Sequence, residues 1–365
     1  MAEPVYKNPN HFGLVVGIDR YPALGHLNHA RADALAFYQW LTDPNGGSVP
    51  PKNCKLIVID DGKYPQDEPD DDDNARRERS IPSLQHLHDA VIRMEKSGDD
   101  LYERDRKAWE QSRLYYYVAG HGVAREATDA LFLAANTTAS YGFHVSCENI
   151  LKYFLRTKTF RELVLFADCC RTLQPNVVTQ LLPFDAGLSR NRRPVPHAVC
   201  YGAAFGQQAL EPADVDKRRG FFTDALLQGL SGAAASEGEQ IDSTNLGVFV
   251  GQRVQLLTKK QQKAEIVADP SDPIVFRPAA SKPPAAPPLP IGYQVTLTFG
   301  AFTGQVQLIG PDASAMGAPQ AVAPGFEWIL QLPTGLYEVE SIPPGALFAD
   351  KGRFKVVGGD RRVEL

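Results

Sequence analysis

The chain has 365 residues, 43% of them hydrophobic and 22% charged, with a formal net charge of −5. This is the composition of a globular protein with room for a full core and an appendage, and it argues against a general nucleic-acid binder, whose surface is basic. No apolar run reaches the ~18 residues of a membrane span, MAEPVYKNPNHFG lacks the features of a secretory leader, and five cysteines without paired spacing fit reduced thiols, so a cytoplasmic location is expected.

In chain order, FGLVVGI (12–18) predicts a buried strand. Residues 23–41 predict a helix, with Leu27, Ala34, Phe37, Tyr38 and Leu41 at roughly helical spacing. CKLIVIDD (54–61) predicts a second buried strand. The stretch 62–80 is too charged to pack and predicts a mobile surface insertion. A helix over LQHLHDAVIRM (84–94) follows, with Ser83 as its cap. SRLYYYVAGHG (112–122) predicts a third strand, half-buried at Tyr115–Tyr117 and ending on a glycine-flanked histidine. LFLAAN predicts a short strand, ENILKYFL a helix, ELVLFADCC (162–170) a fourth long strand, PHAVCYGAAF a fifth, and GFFTDALLQGL a further helix. Strands alternating with helices predict an open, mostly parallel α/β sheet with helices on both faces. That unit is assigned to residues 1–276. RPAASKPPAAPPLP marks a stiff linker over 277–290. Short alternating runs in 291–365 then predict a small antiparallel β-sandwich.

Open α/β sheets gather reactive groups at the carboxyl ends of their strands. Two strands here end on such groups: YYYVAGHG delivers His121, and LVLFADCC delivers Cys169 and Cys170. Side chains alternate faces along a strand, so one cysteine looks toward the histidine, and Asp168 shares a face with Cys170. A thiol beside an imidazole is the smallest set for nucleophilic acyl transfer, because the imidazole takes the thiol proton and later protonates the leaving amine. The N–H groups of Gly122 and Cys170 are the candidate oxyanion hole.

His121 precedes Cys170 by 49 residues, near the caspase spacing of about 50. The motifs, in this order, resemble the caspase-like cysteine proteases, in particular the metacaspase and orthocaspase branch. LVVGIDRYPALGHLNHARADA resembles that family's first strand and helix, and YYYVAGHG its histidine strand, with Ala119 where serine is usual. ADCC resembles its Asp-Ser-Cys strand, and CYGAAFGQQALEP with GFFTDALLQGL its small-subunit region. The resemblance spans residues 10–235. It departs from the family at Arg171, Thr172 and Leu173, where metacaspases carry His-Ser-Gly, and the caspase Gln-Ala-Cys is absent. It implies Cys170 as nucleophile and His121 as its partner. It also implies a pocket for the residue before the scissile bond lined by Asp33 and Asp168, hence cleavage after Arg, with Lys second. Such chains are often cut between their large and small parts. The loop 186–196 offers Arg190 and Arg192 as processing sites, while Pro194 hinders cleavage after Arg193.

Other features have plainer readings. Gln208 and Glu211 are candidates for the pocket or for an ordinary loop. Some metacaspases need calcium, but the run Asp70–Asp73 lacks the alternating ligands and turn glycine of an EF-hand loop, and reads as a solvated charge run. His86 and His88 point different ways on a helix, and no C-x-x-C occurs, so neither a metal nor a cofactor is assigned. The expected partner is a protein or peptide substrate with a basic residue before the cut, and the β-sandwich is a candidate surface for a regulatory partner. A silent scaffold, a peptide ligase and a protease of other specificity are the alternatives.

Overall fold

The computed structural model describes residues 4–21, 23–58, 82–138, 142–174, 194–212, 219–235, 239–278, 293–311, 314–332, 335–342, 352–356 and 361–365. Asp70–Asp73, Arg190, Arg192 and nearly all of the linker lie outside the described residues.

The first unit runs β1 (His11–Gly17), α1 (Ala30–Thr42), β2 (Cys54–Val58), α2 (Leu84–Arg104), β3 (Arg113–Gly120), β4 (Gly122–Ala124), β5 (Leu131–Leu133) and β6 (His144–Ser146). It continues with α3 (Cys147–Thr157), β7 (Glu162–Cys169), β8 (Thr172–Leu173), β9 (His197–Tyr201), α4 (Phe221–Gln228), β10 (Ile241–Asp242), α5 (Ser243–Leu257), β11 (Glu265–Ala268) and β12 (Val275–Arg277). The main sheet has the order β2-β1-β3-β7-β9-β11. Neighbours are parallel from β2 to β9, and β11 closes the edge antiparallel to β9.

Helices cover both faces. Leu14, Val16, Tyr116, Val118, Leu165 and Ala167 face α2 and α3, whereas Val15, Tyr115, Tyr117, Val164 and Phe166 face α1, α4 and α5. A strand buried on both faces shows a continuous apolar run, which is why the inner strands stand out in the sequence. The same burial corrects the expectation for Tyr115–Tyr117: all three are fully buried, because β3 is central. The Tyr115 hydroxyl accepts from Arg113 Nη1 at 2.8 Å, and the Tyr117 hydroxyl pairs with Thr223 Oγ1 at 2.5 Å.

Other boundaries also differ from expectation. Helix α1 begins at Ala30, because before it Leu24 N–H bonds Tyr21 O and Leu27 N–H bonds Asp19 O. Strand β3 stops at Gly120 and β7 at Cys169, so His121 and Cys170 both stand just outside the sheet. Helix α5 and edge strand β11 are additional elements. Helix α5 carries two internal glycines and little amphipathic contrast, and β11 is short with Val267 exposed.

The described residues between 293 and 365 build two further sheets around their own core of Val295, Leu297, Val306, Leu308, Tyr337, Val339, Phe354 and Val356. Their strands are β13 (Tyr293–Thr298), β14 (Gly304–Ile309), β15 (Ala315–Val322), β16 (Glu327–Leu332), β17 (Gly335–Ile342), β18 (Arg353–Val356) and β19 (Arg361–Glu364). The orders are β16-β13-β19 and β15-β14-β17-β18. The expected all-antiparallel pairing fails at one place. Strand β19 lies parallel to β13, since it arrives from the other sheet rather than through a hairpin.

Candidate active site

Strands β3 and β7 pair in parallel register, with Ala119 opposite Asp168 and Gly120 opposite Cys169. The chain therefore leaves both strands at the same height, and His121 and Cys170 are the next residues on each. Gly122 permits the close approach. A Cβ there would lie 2.6 Å from the Cys170 carbonyl oxygen and 2.7 Å from Cys169 Sγ. The β4–β5 ladder around Gly122 bonds Leu133 N–H to His121 O at 2.9 Å. Because N–H directions alternate along a strand, the Gly122 amide faces β8 and the Cys170 turn.

The His121 imidazole is oriented from the segment before α1. Its Nε2 lies 2.6 Å from Gly25 O, and a carbonyl only accepts, so Nε2 carries the proton and Nδ1 is left as the base. Tyr21, fully buried, accepts from His121 N–H at 3.0 Å, and its ring centroid sits 4.6 Å from that of the imidazole.

The two cysteines part company. Cys169 is buried on the α3 side of the sheet, in the same apolar cluster as Tyr116 and Cys147, where burial pushes its thiol well above the usual range. Cys170 is half-buried, with Sγ 3.8 Å from Ala209 O. Burial raises its thiol as well, and the Asp168 and Glu211 carboxylates push the same way. Arg171 has no exposed surface. Its guanidinium donates to Asp129 O at 3.0 Å and Ala203 O at 3.2 Å, bonds Ala127 O, pairs with Glu265, and lies 4.1 Å over the Tyr201 ring. Arg171 is thus a buried staple beneath the cysteine turn.

Asp33 and Asp168 come together. Gly220 N–H donates to both oxygens of Asp33, at 2.9 and 3.1 Å, and Thr223 Oγ1 donates to Asp168 Oδ2 at 2.6 Å. A Cβ on Gly220 would lie 2.9 Å from Asp33 Oδ2 and 3.4 Å from Asp168 Oδ2, so both acids converge on this glycine. Burial and then the Asp168 charge hold the Asp33 carboxyl well above its ordinary value. Burial lifts Asp168 to about 6, against the Thr223 hydrogen bond. Glu211 is a third acid within electrostatic reach of both, and its carboxylate accepts from Asn28 N–H at 3.0 Å and His29 N–H at 3.3 Å. Gln208 is exposed. The Arg219 guanidinium lowers Asp33 by less than burial and the neighbouring carboxylates raise it.

Among the described residues no group of three or more His, Cys, Asp or Glu could hold a metal ion, and no helix is long and apolar enough to cross a membrane. His88 is buried while His86 bonds Ser83, so the two diverge as expected. Tyr21, Gly25 and Thr223 were not singled out from the sequence. They act through hydrogen bonds to residues far along the chain.

No family model matches the chain. Over 230 residues, 60% of its length, it is 29% identical to a probable protease of a Desulfuromonadales bacterium, and the aligned part spans about a quarter (26%) of that relative. Among solved structures it is similar to the crystal structure of caspase-1 from Spodoptera frugiperda, with a TM-score of 0.47 and 16% identity, covering 77% of this chain and 96% of that one. It is also similar to pro-sf-caspase-1, with a TM-score of 0.41 and 14% identity, covering 73% of this chain and 93% of that one.

Proposed function

We propose that the chain is a caspase-like cysteine endopeptidase that hydrolyses peptide bonds after Arg, with Lys second. The observation that carries this reading is the convergence of the buried Asp33 and the part-buried Asp168 on Gly220, with Asp168 acting on the half-buried Cys170 thiol. The substrate cation enters the acid pocket and pairs with the carboxylates there, which lowers their proton affinity. Its charge also offsets the field that keeps the Cys170 thiol protonated, so substrate binding favours the thiolate. The thiol proton passes to His121 Nδ1, and Sγ attacks the scissile carbonyl. The Gly122 and Cys170 N–H groups hold the oxyanion. As the C–N bond breaks, His121 returns the proton to the leaving amine, leaving a thioester. Water, deprotonated by His121, then attacks the thioester, releasing the carboxylate product and the Cys170 thiol.

Activation by a cut after Arg190 or Arg192 belongs to the same reading, since the enzyme's own specificity would recognise both. The β-sandwich is the candidate surface for a regulatory partner. A positional-scanning peptide library with wild type and Cys170→Ala tests the whole reading. Cleavage after Arg and Lys by wild type alone supports it, and cleavage only after Asp, or equal cleavage by the variant, sinks it.

A further inference from the structure

The loop 202–211 leaves β9 and passes over the cysteine turn. Gly206 N–H bonds Arg171 O at 2.8 Å, Arg171 N–H bonds Gln207 O at 2.9 Å, and Ala209 O stands 3.8 Å from Cys170 Sγ. Glu211, at its end, reaches the acid pocket and the amides before α1. One side chain grips this loop near both ends. Gln262 has no exposed surface; its Nε2 donates to Gly202 O at 2.7 Å, and its Oε1 accepts from Leu210 N–H at 2.8 Å. It is presented by a turn after α5 in which Lys259 and Lys260 both adopt left-handed backbone, at φ 51° and 65°. Two consecutive lysines in that region are strained. Thr258 Oγ1 secures the turn by accepting from Gln262 N–H at 3.1 Å.

The geometry points to Gln262 as a positioning residue, an amide clamp that fixes the 202–211 loop and so places Ala209 beside the nucleophile and Glu211 at the substrate pocket. This inference rests on the reading of Cys170 and its acids as a protease site. A primary amide is suited to the task because it donates at one atom and accepts at the other. A carboxylate only accepts and repels Gly202 O, whereas a protonated carboxylic acid again does both.

The test compares wild type, Gln262→Glu and Gln262→Met by two readouts: kcat and KM on an arginyl peptide, and the rate at which iodoacetamide labels Cys170, located by peptide mass spectrometry. Gln262→Glu should lose on the order of 10–100-fold in kcat/KM near neutral pH, with most of the loss in KM. Its activity relative to wild type should recover as pH falls from about 8 to about 5.5 and the new carboxyl gains its proton. Gln262→Met should show a similar loss that does not vary with pH, and faster labelling of Cys170 as the loop loosens. A pH-independent Gln262→Glu ratio, or wild-type kinetics and labelling in a folded Gln262→Met, overturns the clamp. Should Gln262→Met fail to fold, the acid-side recovery of Gln262→Glu decides alone. If no variant cleaves peptide but Cys170 labelling follows the expected order, the clamp stands and the protease reading falls.

Discussion

The two sides of the sheet at the end of β7 differ in kind, though they are separated by one residue. On one side Cys169 lies among aromatic and aliphatic groups with Tyr116 and Cys147, and its sulfur is a small apolar filler. On the other, Cys170 follows a strand paired in register with the one that leads into His121, and the carboxylates of Asp168 from β7 and Glu211 from the 202–211 loop act on its thiol. Alternation along a strand assigns one sulfur to packing and leaves the other for chemistry. Swapping the test between neighbours is therefore the sharpest way to break the contrast. Cys170→Ala should lower kcat by about 10⁴-fold or more, while Cys169→Ala should keep kcat within about threefold of wild type. A reversed result in a peptide assay would place the nucleophile one residue early.

The next largest effect concerns what lies beneath the reactive side. Arg171 ties together Ala127, Asp129, Ala203 and Glu265 while fully buried. Arg171→Met keeps the bulk but leaves a half-buried carboxylate and several carbonyls without their donor. A loss of about 3–5 kcal/mol in stability is expected by denaturant titration. A loss under about 1 kcal/mol would show that the staple is dispensable.

The acid pair sets function against stability. Asp168 has its folded carboxyl raised from the ordinary 3.8 to about 6. The folded state therefore binds this proton more tightly than the unfolded chain does. The stability it contributes is complete below about pH 3.8 and is lost as pH rises through about 6, leaving a cost of up to ~3 kcal/mol at neutral pH. Asp168→Asn should raise the melting temperature above about pH 6 and flatten the stability profile between pH 4 and pH 6. The same variant should lose about 100-fold in kcat/KM on arginyl peptides, because an amide cannot pair with a guanidinium. A variant that is both less stable and equally active would remove the pocket from the account.

What was legible in the sequence follows the same division. Strands covered on both faces announced themselves as apolar runs, and the candidate residues at their ends, His121 and the Cys169–Cys170 pair, were visible for that reason. The face of Asp168 followed from counting along the strand, whereas its pocket role, like that of Asp33, came from the family resemblance. Helix α5 stayed hidden because its glycines and β-branched residues blur the helical period, and β15 because Gly317 and Pro319 interrupt an edge strand with mostly exposed side chains. Tyr21, Thr223 and Gln262 stayed hidden for a different reason. Each acts through a single hydrogen bond or two to a residue 52 or more positions away, and no local pattern marks such a pair. Arg171 was visible only as a departure from a motif, and its burial gives that departure a structural sense.

The smallest effect tests the apolar side by itself. Cys169→Ala removes one sulfur from a packed site, which should cost about 1–2 kcal/mol in transfer and cavity terms. The Asp168 charge reaches Cys169, but burial holds that thiol neutral across this range, so the variant's pH dependence of stability should run parallel to wild type, displaced by a constant amount. A displacement that changes between about pH 4 and about pH 6 would mean that the two sides are electrostatically coupled through the sheet, and the separation drawn from alternation alone would have to be given up.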